Sequence, residues 1–158
     1  MRVFLTVLFA FVGASICSAA DLSIVRVWPG YRTAESFERI SEYFGKNEEP
    51  AAQHIVRTQP SERTGYYFLV RLKNENTEIT GAHFELQIVT PFATLPKTFT
   101  FDSSIPHGSH AFQLGLTGAD WPGKPKDEAI AWQLRVLSSD GTELSRTQSF
   151  LWSQPEKK

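Results

Sequence analysis

The apolar positions along the chain change their period twice, and the changes predict its elements. Val3 to Ala14 is an apolar run interrupted only by Thr6 and Gly13. Leu22 to Trp28 is β-branched and apolar and predicts a first strand, ended by Pro29-Gly30. Ala34, Phe37, Ile40 and Phe44 then fall at helical spacing, with Glu35, Glu38, Arg39 and Glu42 on the other side. Thr33 is placed to cap that short amphipathic helix, predicted over about 33–44, and Gly45 to stop it. Lys46 to Ala52 is a polar linker and His54 to Arg57 a short strand, with a turn over Pro60 to Gly65. From Tyr66 the period becomes two. Tyr66, Phe68, Val70 and Leu72 alternate with Tyr67, Leu69, Arg71 and Lys73. The same alternation runs through Phe84-Leu86-Ile88, Phe99-Phe101, Phe112-Leu114-Leu116 and Trp132-Leu134-Val136. Each such run predicts a half-buried antiparallel strand. Ser139-Asp140-Gly141 marks a tight hairpin into a last strand through Leu144 to Trp152.

Strands at roughly ten-residue spacing with turn residues between them predict two packed sheets. The expectation is a mainly β protein, an antiparallel β-sandwich with one short N-terminal helix. Residues 21–152 form its single domain and residues 153–158 an unstructured tail. The stretch from Tyr66 to Trp152, with Trp132 inside a strand and the Asp140-Gly141 hairpin, resembles an immunoglobulin or fibronectin-III type sandwich. The resemblance is one of pattern. The cysteine pair of antibody-like domains is missing, and the superfold hosts too many functions to imply one.

The amino-terminal run reads as a secretory signal peptide over residues 1–20. Arg2 supplies the positive start, the apolar run is too short to span a bilayer, and Ser18-Ala19-Ala20 precedes the expected cleavage before Asp21. Cys17 does not suit lipidation, because Ile16 stands where a small residue is needed. Cleavage removes the sole cysteine and the sole methionine, leaving no thiolate nucleophile, disulfide or cysteine metal site. A disulfide-free exported domain fits a bacterial envelope, with a final location in the periplasm or outside the cell. Sixteen Lys and Arg against seventeen Asp and Glu form no basic block, so nucleic acid is a poor partner.

Several motifs carry candidate chemistry. Gly118-Ala119-Asp120-Trp121-Pro122-Gly123-Lys124 has the spacing of a phosphate-binding loop, but Pro125 replaces the hydroxyl that would hold magnesium. Two prolines also oppose the helix such a loop must open. His107 and His110 lie in a turn near Asp102, with His54 and His83 as the remaining imidazole ligands. No Gly-x-Ser-x-Gly elbow is present, and Ser103, Ser104 and Ser109 lie near the histidines in sequence only. The paired acids Glu48-Glu49 and Asp127-Glu128 read as solvated charge. These features lead us to expect neither an enzyme nor a bound cofactor or metal. Aromatics outside the alternating core are the better lead. Trp28, Tyr31, Tyr67 and Trp121 are the candidate contact residues, able to stack on sugar rings or anchor a protein. For Trp121, packing over the sandwich end is favoured over contact. The expected function is a non-catalytic interaction or structural module of the bacterial envelope, binding an envelope protein. The alternative is a carbohydrate-binding module that uses its exposed aromatics on a glycan.

Overall fold

The computed structural model describes residues 22–37 and 53–153. Eight strands form in chain order: β1 (Leu22–Arg32), β2 (Gln53–Arg57), β3 (Gly65–Asn74), β4 (Ile79–Thr90), β5 (Ala93–Ile105), β6 (Gly108–Thr117), β7 (Ala131–Leu137) and β8 (Glu143–Gln148). They make two four-stranded sheets, the first ordered β1-β3-β6-β2 and the second β5-β4-β7-β8. The predicted alternation decides what each sheet buries. Phe68, Val70, Leu72, Phe112 and Leu114 of the first sheet meet Phe84, Leu86, Ile88, Leu134 and Val136 of the second in one apolar core. Across the interface the Phe84 and Phe112 rings lie 4.9 Å apart, and Phe68 meets Trp132 edge-on at 5.7 Å. Burial of this apolar area, at about 25 cal/mol per Å2, is the main force holding the sheets together.

The second sheet is antiparallel throughout and contains the predicted β7–β8 hairpin. Gly141 turns the β7–β8 hairpin with φ 85°, a backbone conformation that L side chains rarely adopt. In the same turn the Ser138 hydroxyl and the Thr142 amide donate to Asp140, which holds its carboxyl down at about 2.

The first sheet departs from the prediction in two ways. β2 pairs parallel to β6, so the sandwich is not wholly antiparallel. The two strands are far apart in sequence, and no hairpin dictates their relative direction. The chain leaves β2, steps across the end of β6 and enters β3. Thr117 is the clasp for that step. Its amide donates to the Thr58 hydroxyl, and its own hydroxyl accepts from the Gln59 amide and donates to the Gln59 carbonyl. Gly65 makes the crossing possible, since a Cβ there would sit 2.2 Å from the Leu116 carbonyl oxygen.

The second departure is in β1, which continues through Pro29-Gly30 to Arg32. It is an edge strand, where a residue lacking an N–H is tolerated. A bulge between Ile24 and Arg26 shifts its register against β3. Leu22 and Ile24 pair with the inward Asn74 and Leu72, whereas beyond the bulge it is Val27 and Tyr31 that pair with the inward Val70 and Tyr66. Arg26, Trp28, Gly30 and Arg32 are thereby turned to the outer face. Of the predicted helix, residues 34–37 are helical, and Ile40, Phe44 and Gly45 lie outside the described residues, as do the signal segment and positions 154–158. No helix among the described residues is long and apolar enough to cross a membrane.

Candidate functional site

Antiparallel register turns the outer face of the first sheet into a grid. Arg26 of β1 stands beside Arg71 of β3, and Arg71 beside Ala111 of β6. One step along, Trp28 stands beside Leu69 and Gln113, and one step further Gly30 stands beside Tyr67 and Gly115. Parallel pairing sets Ile55 and Arg57 of β2 beside Gln113 and Gly115. The four strands together carry Arg26, Arg32, Arg57, Arg71 and Lys73, and not one Asp or Glu. The second sheet is the opposite. There Arg135 is ion-paired with Glu85 at 2.5 Å and Glu143 at 3.6 Å, and the His83 ring hydrogen-bonds Asp102 at 2.6 Å. Among the described residues, no such ion pair joins Arg26, Arg32 or Arg71 to a carboxylate.

Trp28, Arg32, Leu69, Arg71 and Ala111 line an open groove of about 350 Å3 on this face. The Arg26 guanidinium lies 4.7 Å from the centre of the Trp28 ring, a cation–π contact beside the groove. Trp28 remains 38% exposed. At the far end of the face the helical turn lays Phe37 on Tyr67 at 4.9 Å, with the Arg57 guanidinium 5.3 Å from the centre of the Phe37 ring. The Tyr67 hydroxyl donates to the Arg63 carbonyl at 2.6 Å and accepts from Arg57 Nε at 2.8 Å.

The four candidate aromatics therefore have different surroundings. Trp28 is open to a partner. Tyr67 shares its face but is covered, at 1% exposure. Tyr31 is turned inward by the bulge and packs against the core. Trp121 is buried, stacked on Tyr66 at 4.2 Å and met edge-on by Phe92, the packing role the sequence favours for it. The loop around it does not open a helix. A 3-10 turn spans Gly118–Asp120, and the Lys124 amide is taken by the Asp127 carboxylate at 2.6 Å.

The histidines and serines do not converge on one point. His107 donates from Nδ1 to the Asn76 carbonyl, and His110 donates from Nε2 to the His107 carbonyl. His110 and His54 sit on the inner side at the edge of the first sheet, their rings 5.8 Å apart, with His54 stacked on Phe112. Burial first, and His110 second, push the His54 imidazole below its ordinary value. Ser103 donates to the Ser104 carbonyl. Among the described residues, no group of three metal-ligating side chains comes together.

Sequence reading missed the cationic face. Its arginines are spread from position 26 to 71 and form no block; only strand pairing gathers them. A signal was nevertheless present, in the lack of any acid in the four segments that became the first sheet. The chain matches no protein-family model and no curated protein.

Proposed function

We propose that the chain is an exported, non-catalytic interaction module of a bacterial envelope, engaging its partner through the outer face of the first sheet. The observation that carries this reading is a sheet whose strands bear arginines and no acid; just beyond β3, Glu75 pairs with Lys73 at 2.6 Å and with none of the arginines. Four arginines stand on one sheet of a chain whose formal net charge is only −1. Such segregation steers an anionic partner and orients it. The immunoglobulin-like assignment is supported by strand order. With β1, β3 and β6 taken as A, B and E, and β5, β4, β7 and β8 as C′, C, F and G, the sheets follow the sandwich pattern. β2 then occupies the edge where strand D would stand. The non-catalytic reading draws on the scattering of the histidines and serines. The export reading draws on residues 1–20, and it expects a mature chain beginning at Asp21.

The test is capture of partners from envelope extract by wild type, by Arg71→Glu and by Arg146→Glu, an exposed arginine on the second sheet. Capture should survive Arg146→Glu and fail for Arg71→Glu, with equal thermal midpoints for all three. Equal capture by both variants would contradict the reading.

A further inference from the structure

The groove on the outer face has a chemistry narrower than positive charge. Trp28 lines it together with two cationic residues, Arg32 and Arg71. Its other lining residues, Leu69 and Ala111, are apolar. Gly30 separates Trp28 from Arg32 along β1, and a Cβ added there would meet nothing within 4 Å, so the space beside the indole is open. At about 350 Å3 the hollow lies at the small end of ligand sites.

A flat aromatic wall beside forked cations suits a ring with an apolar face and a carboxylate on its rim. We infer that the groove binds a carboxylated sugar residue of an acidic polysaccharide. The C–H face of the pyranose lies on Trp28, an aromatic presenting apolar area. The carboxylate takes paired N–H bonds from a guanidinium, a geometry that lysine cannot supply. Arg26 and Arg57 continue the cationic track along the sheet and meet the charges of neighbouring sugars. A neutral glycan would leave the guanidinium groups without an anion. An acidic peptide would satisfy them but offers Trp28 no flat C–H face. The inference rests on the reading of this face as the interaction surface.

The test is titration calorimetry of the exported, processed protein with polygalacturonate oligomers, a neutral glucan of equal length, and polyglutamate. Polygalacturonate should bind, the glucan should not, and polyglutamate should bind at least about tenfold more weakly. Trp28→Ala, Arg71→Gln and Gly30→Leu should each weaken polygalacturonate about tenfold or more. The last fills the groove without touching its charge. Binding should weaken steeply between low and high salt, as screening of exposed charge requires. All three positions face outward, so thermal midpoints should stay close to wild type. Polyglutamate binding as tightly as polygalacturonate, with no loss in Trp28→Ala, would overturn the sugar and leave the interaction surface standing. No binding of polygalacturonate would also overturn the sugar. The envelope capture with Arg71→Glu judges the surface separately.

Discussion

Gly115 and His54 show how single positions fix the two sides of the first sheet. On the outer side, a Cβ at Gly115 would lie 2.4 Å from the Tyr67 ring. That ring cannot yield, because its hydroxyl is tied to Arg63 and Arg57 and its face is covered by Phe37. Gly115→Val should therefore cost about 1–3 kcal/mol by overpacking. Urea unfolding checks this, and a loss below about 0.5 kcal/mol would mean the ring is free to move. On the inner side, the partly buried His54 has its imidazole held below the ordinary 6.5, mainly by burial. On acidification the unfolded chain takes up that proton first, so stability falls as pH drops from about 6.5 toward the lowered folded value. Thermal midpoints at about pH 7.5 and about pH 5.5 should fall more for wild type than for His54→Gln. Equal slopes would show that another group carries the acid sensitivity.

At the scale of elements, the second sheet was more legible than the first. Alternation gives the facing of the second sheet's strands, and the Asp140-Gly141 turn gives the partnership of β7 with β8; the pairing of β4 with β5 and with β7 comes only from the structure. Phe84, Leu86, Ile88, Leu134 and Val136 all face the core as read. The bulge in β1 was not legible, because Val25 is as apolar as Ile24 and Val27 and nothing marks it as the extra residue. Nor was the parallel pairing of β2, which depends on a crossing over β6. The helix tests how the outer face is finished. If Phe37 belongs to the domain by covering Tyr67, then Phe37→Ala should lower stability by about 1–2 kcal/mol. That is below the cost of a fully buried phenylalanine, since Phe37 is only partly buried. Circular dichroism melts decide it. Matching midpoints would make the turn a free hook, as amphipathic helices that dock to partners often are.

At the scale of the whole molecule, charge is divided between the sheets in a way the totals conceal. Sixteen basic and seventeen acidic residues nearly cancel, yet the first sheet holds no acid while the second pairs its ions internally. Of the candidate aromatics, Trp28 was correctly set outside the core, but its neighbours in space could not be named until the bulge and the β3 register brought Arg26, Arg32 and Arg71 around it. Folding thus creates a surface property that no stretch of sequence displays. The central claim is that this face, and not the opposite one, meets the partner. It is tested most directly by a photo-crosslinking residue placed at Leu69 on the first sheet or at Gln87 on the outside of the second, in cells producing the protein. Our account predicts adducts from position 69 and none from position 87. Adducts from position 87 alone would contradict it.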